Sequence, residues 1–151
     1  MDLAEARRRF GDARVARLAT VRPDGSPHLV PIVFALERDT LHFAVDEKPK
    51  RSARLQRITN VEHEPRVSAL VDAYDEDWSR LWWVRIDGRA EIVAEGPDLE
   101  RVRRTLAAKY LRYRDPPPPG PAVTFRIERW RFWPEDQSRG SLAVQHRDRG
   151  H

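Results

Sequence analysis

The sequence predicts a mainly β, α+β barrel, and three observations carry that prediction. Short apolar runs recur with turn residues between them, and the first three runs follow one another without a crossover helix. One long amphipathic helix then falls between the last two strands. A doubly wound parallel sheet is excluded because residues 13–46 leave no room for the connecting helices that parallel strands need.

Residues 2–10 read as a short helix, with Leu3, Ala6 and Phe10 at i, i+3, i+7 spacing and Gly11-Asp12 ending it. A strand covers Ala13 to Val21, most apolar at Leu18-Ala19-Thr20-Val21. Arg22-Pro23-Asp24-Gly25-Ser26 is a turn: proline presets φ, and glycine accepts the positive φ that closes it. His28 to Leu36 resumes as one strand, and Glu37-Arg38-Asp39 turns again. Leu41, Phe43 and Val45 then alternate with His42, Ala44 and Asp46, the period of a half-buried strand. Three strands in meander order are therefore expected over residues 13–46.

A second helix is expected from the Lys48-Pro49-Lys50-Arg51-Ser52 segment to about Val61, and Pro65 breaks the chain before a fourth strand, Arg66 to Val71. Tyr74 to Ser79 reads as a loop and Leu81 to Ala94 as a long fifth strand, where Gly88 marks a bulge or bend. Gly96-Pro97-Asp98 opens a helix with proline near its first position and an acid in its first turn. Leu99, Val102, Leu106, Tyr110 and Tyr113 form its apolar face. Pro116 to Pro121 stops it, and Ala122 to Phe132 is the sixth strand. Residues 1–133 thus make one domain, followed by a polar tail over 134–151 expected to fray.

The composition narrows the chemistry. With no cysteine among 151 residues, a thiol nucleophile, a disulfide scaffold and a Cys-ligated metal are all excluded. Neither a signal peptide nor a run of eighteen apolar residues occurs, so a soluble, cytoplasmic protein is expected. Net charge is +4, yet acids are interspersed among the 28 basic residues, which argues against one continuous nucleic-acid-binding face. The five histidines share no metal-ligand spacing, and no metal is expected. No serine elbow, glycine-rich phosphate loop or dinucleotide fingerprint occurs. Asp72, Asp75, Glu76 and Asp77 read as a solvated acidic loop rather than a cation site.

Two features point to a ligand. Lys48, Lys50 and Arg51 stand where a strand ends and a helix opens. Cations are unfavourable at a helix N-terminus unless an anion joins them, so the cluster suits a phosphate. Neutralisation by Asp46 and Glu47 in a solvated turn is the alternative. In the run Trp78-Ser79-Arg80-Leu81-Trp82-Trp83, successive strand residues face opposite ways, so one of Trp82 and Trp83 must leave the core. Core packing or a subunit interface fits that pair, a partner surface or a planar ligand being the alternatives for the one that leaves the core, and Trp78 lies outside the strand pattern.

Several stretches together resemble the pyridoxamine 5'-phosphate oxidase-like split-barrel superfamily. They are Ala16-Arg17-Leu18-Ala19-Thr20, Pro23-Asp24-Gly25-Ser26-Pro27-His28, Val30-Pro31-Ile32 and Leu41-His42-Phe43. Glu64-Pro65-Arg66-Val67-Ser68 and the run from Asp77 to Arg85 resemble its branch that uses the deazaflavin coenzyme F420. The resemblance implies a six-stranded antiparallel split β-barrel with flanking helices, forming a homodimer with cofactor at the interface. It implies further that Leu18, Ala19, Thr20, Val30, Pro31 and Ile32 lie along the cofactor ring, partly through backbone. Lys48, Lys50 and Arg51 would hold its phosphate, and Trp78 with the strand after it would be contributed across the dimer.

The activity implied is hydride transfer by coenzyme F420 to a small, unsaturated, planar substrate. An FMN-binding oxidase or flavin reductase of the same fold is the alternative, and a non-catalytic cofactor carrier is the second. Coenzyme F420 adds an acidic lactyl-glutamyl tail to the phosphate that both cofactors share, which suits a basic chain. The polar tail, Ser138 to His151, offers no substrate-binding segment of the oxidase type. No catalytic residue is assigned; Tyr74 and His28 are the candidate proton donors.

Overall fold

The computed structural model describes residues 1–45 and 56–136; Lys48, Lys50, Arg51 and nearly all of the 134–151 tail lie outside the described residues. Helix α1 (Leu3–Asp12) is capped by Asp2, whose carboxylate accepts the Glu5 N–H at 2.9 Å. It buries Ala6 and Phe10, but Leu3 turns outward and is 42% exposed. Strands β1 (Ala16–Val21) and β2 (Pro27–Ile32) form the first hairpin. Its turn carries Gly25 at φ 86°, and the Asp24 carboxylate accepts both the backbone N–H and the hydroxyl of Ser26.

The expected strand from His28 to Leu36 is two strands, which raises the count from six to seven. After β2 the chain bends at Val33-Phe34 and continues as β3 (Ala35–Glu37), then β4 (Thr40–Ala44). Helix α2 (Gln56–His63), β5 (Arg66–Ala73), β6 (Trp82–Val93), α3 (Pro97–Lys109) and β7 (Ala122–Trp133) follow. Single turns of tighter helix cover Trp78–Arg80 and Leu111–Tyr113. The sheet is antiparallel throughout, in the order β2-β1-β5-β6-β7-β4-β3.

That order corrects the expected meander in part: β4 pairs with β3, the end of the expected His28–Leu36 strand, but its other neighbour is β7 and β2 lies at the far edge of the sheet. Strands β2 and β3 occupy opposite edges of the sheet, yet only two residues separate them in the chain. Two residues span at most about 7 Å, so the sheet has to curl until its edges meet. Phe34, at the bend, is fully buried. Its N–H donates to the Tyr110 hydroxyl at 3.2 Å, and that hydroxyl donates onward to the Arg14 carbonyl at 2.8 Å. The closing corner is therefore tied to the end of α3 and to the loop after α1.

Curling makes two cores. Inside the curl, Leu18, Ile32, Phe43, Val84, Ile86 and Phe125 pack with Phe10 of α1 and Val61 of α2. Outside it, Leu99, Val102 and Leu106 of α3 cover Ala35, Ala44 and Ala122 of β3, β4 and β7. The bend expected at Gly88 is present as a register shift between β6 and β7. A Cβ at this position would stand 1.9 Å from the Arg126 carbonyl oxygen, so only glycine fits. The other outer face, over β2, β1, β5 and β6, keeps apolar groups in view, with Leu29 67% exposed.

Candidate functional site

Alternation along β1 and β2 sorts the residues that the resemblance assigns to the cofactor ring. Leu18, Thr20, Val30 and Ile32 turn towards the core, whereas Ala19 and Pro31 face outward. Leu18 is wholly buried, so its side chain is committed to packing. Thr20 is also committed: its hydroxyl oxygen accepts Asn60 Nδ2 at 2.9 Å, and Asn60 Oδ1 accepts Gln56 Nε2 at 2.7 Å. Asn60 is itself fully buried. This chain of amide and hydroxyl anchors the first turns of α2 against β1.

Arg57 follows Gln56 directly and is held in place by that anchoring. Its side chain joins Val15, Pro31, Ile32, Val33 and Ala44 around a cavity of about 220 Å³. Arg57 Nε is buried and has no hydrogen-bond partner among the described residues. A buried, unpartnered guanidinium N–H costs free energy that an anion would recover. His28 stands near this charge. Burial, together with the fields of Arg22 and Arg57, lowers its pKa and keeps the imidazole neutral; Nδ1 is buried and also lacks a partner among the described residues. Two of the expected ring contacts, Pro31 and Ile32, thus share a cavity with a cation.

Sequence reasoning passed over Arg57 because it looks like one more arginine on an exposed helix. The available signal was Asn60, a polar residue on the same stripe as Ile58 and Val61, which marks α2 as hydrogen-bonded to something inside. Trp78 projects from its single turn with 69% of its surface exposed, and it lines neither the Arg57 cavity nor the groove described next.

A larger groove, about 830 Å³, lies at the opposite end of the β1–β2 hairpin and includes Ala19, Thr20, Ser68 and four arginines. Most of that charge is already engaged. Arg66 pairs with Glu64, Arg89 with Glu128, and Arg22 donates to the Pro27 carbonyl at 2.6 Å. His42, Thr124 and Glu37 line up as an imidazole between a hydroxyl and a carboxylate, at 3.1 and 3.6 Å. They lie in the layer of β3, β4 and β7, and His42 is 1% exposed, so the imidazole is shut off from a substrate. Among the described residues no three acidic or imidazole side chains converge on a metal-sized point, and no helix is long and apolar enough to cross a membrane.

A curled antiparallel sheet closed by a two-residue corner, with ligand-sized cavities along its first hairpin, defines a split-barrel protein. The chain belongs to the pyridoxamine 5'-phosphate oxidase family, whose pattern matches residues 3–134. No curated protein matches it. Among solved structures it is similar to a conserved hypothetical protein from Mycobacterium tuberculosis, at 27% identity and a TM-score of 0.72, covering 88% of this chain and 84% of that one. It is also similar to an FAD-binding protein from Mesorhizobium loti, at 23% identity and TM-score 0.68, over 87% and 92% of the two chains. A heme-binding protein from Mycobacterium smegmatis matches at 23% and 0.67, over 85% of this chain and 52% of that one. The last two likenesses speak for the fold alone.

Proposed function

We propose that the chain is an oxidoreductase holding a phosphate-bearing flavin-type cofactor, and that this cofactor is coenzyme F420. The observation that carries the reading is Arg57, a cation whose buried Nε has no partner among the described residues and which shares its cavity with Pro31 and Ile32. A phosphate there would take the free N–H, while the apolar strand residues would lie against a ring. Lys48, Lys50 and Arg51 precede α2 in the sequence and would add charge to the same anion. When bound, the deazaflavin supplies hydride transfer to an unsaturated planar substrate; the chain supplies orientation and field.

The chain's own residues set the environment. Neutral His28 leaves the arginines as the local positive charge, so an anion is favoured near β2. Leu29 and Pro31 are exposed on an edge strand, and a second copy laid over them would exclude water from the ring. The homodimer with cofactor at its interface belongs to this proposal, with Trp78 reaching across. FMN carries the same phosphate and is the second reading.

The test is parallel fluorescence titration of purified protein with coenzyme F420 and with FMN. Tighter binding of coenzyme F420 is expected; tighter FMN binding transfers the protein to the flavin branch, and binding of neither refutes the site. Arg57→Ala, and separately the Lys50→Ala, Arg51→Ala double variant, should each weaken the preferred cofactor about tenfold or more, the worth of a charge-assisted contact. Unchanged affinity in a folded Arg57 variant removes the anchor.

A further inference from the structure

We propose that Lys109 is a covalent modification site, and that its side-chain amine takes an acyl group from a small acyl phosphate. The proposal does not rest on the cofactor reading, because Lys109 and its neighbours line no part of the Arg57 cavity.

Composition singles out the position. Of 28 basic residues, 25 are arginine and three, Lys48, Lys50 and Lys109, are lysine. Arginine keeps its proton in proteins, whereas a lysine can lose one and become a nucleophile. Lys109 is the last residue of α3 and stands over the corner where the sheet closes. Its Nζ donates to the Ala13 carbonyl at 2.6 Å and lies 3.8 Å from the centre of the Phe34 ring and 5.3 Å from that of Tyr110. Among the described residues no carboxylate forms an ion pair with it.

This setting makes the amine available. An ammonium here has exchanged part of its water for two ring faces and one carbonyl. Burial is the main cause, the charge of Arg14 adds to it and Asp12 opposes it, and the pKa of Lys109 falls from 10.5 to about 8. The ring faces and the negative end of α3 pull the other way. The Tyr110 hydroxyl is engaged by the Phe34 N–H and the Arg14 carbonyl, and burial raises its pKa, so it stays neutral. Roughly a quarter of Lys109 is then free amine at pH 7.5, against about one part in a thousand for an ordinary lysine.

Arg14 selects the donor. It is exposed, its guanidinium lies 4.7 Å from the centre of the Tyr110 ring, and Nη2 donates to the Lys109 carbonyl at 3.1 Å. Two cations thus share one ring, and a phosphate paired with Arg14 holds its acyl group beside the amine. The Lys109 nitrogen bonds to the acyl carbon and the bond from that carbon to the phosphate oxygen breaks. Phosphate leaves with the electron pair, and the amine's proton passes to water. The amide keeps one N–H for the Ala13 carbonyl, and the charge over Phe34 is lost.

The test reads acetylation of Lys48, Lys50 and Lys109 in the full-length protein by peptide mass spectrometry, with two donors. The neutral N-hydroxysuccinimide ester of acetic acid measures the amine itself. A less basic nucleophile is also a weaker one, so folding should speed Lys109 about tenfold over the chain unfolded in guanidinium chloride. Its rate should level off above about pH 8, whereas an ordinary lysine goes on gaining towards about pH 10. Acetyl phosphate measures the role of Arg14. Arg14→Gln should slow this donor at Lys109 about threefold more than it slows the ester, and added inorganic phosphate should compete with acetyl phosphate alone. Lys109→Arg should keep the melting temperature and lose the adduct. A folded rate no faster than the unfolded one, or one still climbing past pH 9.5, overturns the site. Equal slowing of both donors by Arg14→Gln, or no competition by phosphate, overturns the acyl phosphate as donor.

Discussion

The Arg57 cavity and the outer face of the β5–β6 hairpin at Trp83 sit at different places on one sheet and are built by opposite means. Arg57 is delivered by a helix whose position depends on a buried hydrogen-bond chain through Asn60 to Thr20. Its charge is positive, partly buried and, among the described residues, without a partner at Nε. The Trp83 face depends on no helix: adjacent strand positions place Asp72 beside Trp83 and Leu70 beside Arg85. The acids beside it, Asp72, Glu76 and Asp77, put negative charge at the surface. A site held by tertiary hydrogen bonds can strand a buried charge, whereas a face made by strand register gets its charge from the loop alongside. The first should be sensitive to core substitutions and the second to surface ones.

The largest effect expected breaks both regions together. Gly88→Ala places a methyl group against the Arg126 carbonyl at the shift between β6 and β7. It should cost about 3 kcal/mol, the upper end for overpacking, and a urea midpoint close to wild type would show that the strands part easily. Asn60→Leu separates the two regions. It leaves the Thr20 hydroxyl and Gln56 without their partner and should cost about 1–3 kcal/mol. Hydrogen exchange should accelerate across α2 while the β5–β6 hairpin stays protected; equal acceleration in both would merge the regions into one unit.

Acid should act first on two shielded histidines, His28 beside Arg57 and His42 in the layer of β3, β4 and β7. Burial lowers the pKa of His42, although Glu37 opposes the shift, and burial together with Arg22 and Arg57 lowers that of His28. A histidine whose folded pKa lies below its unfolded value binds fewer protons when folded. Stability is therefore retained above the unfolded value near 6.5 and lost as the pH falls below it. Urea midpoints should drop between pH 7 and pH 5, and the drop should shrink in His42→Asn. An unchanged pH dependence in that variant would remove His42 from the account. The smallest effect belongs to the hairpin side: Trp78→Ala should change stability by no more than about 0.5 kcal/mol, because its side chain is mostly in solvent.

These two regions also differ in how far they can be read from sequence. The hairpin side is local. Turn residues, the alternation in β5 and β6, Gly88 as a bend and the outward turn of one tryptophan all follow from short-range sterics and a period of two. The Arg57 side is not. One apolar run from His28 to Leu36 gives no sign that it divides at Val33-Phe34, because both halves look like strand and the break is imposed by curling. The burial of Arg57 was hidden for a related reason. On an isolated helix it would be solvated, and only packing of α2 across β1 removes water from its Nε.

The sequence by itself determined the class of fold, the helix faces, the first hairpin turn and the absence of thiol chemistry. Each of those depends on residues within a few positions of one another, or on composition alone. Tertiary structure decided that β2 and β3 stand at opposite edges, that β4 joins β7, and that a cation lies beside Pro31 and Ile32. Those features arise where segments distant in the chain meet. Their free energy comes from water excluded by neighbours that local pattern does not name.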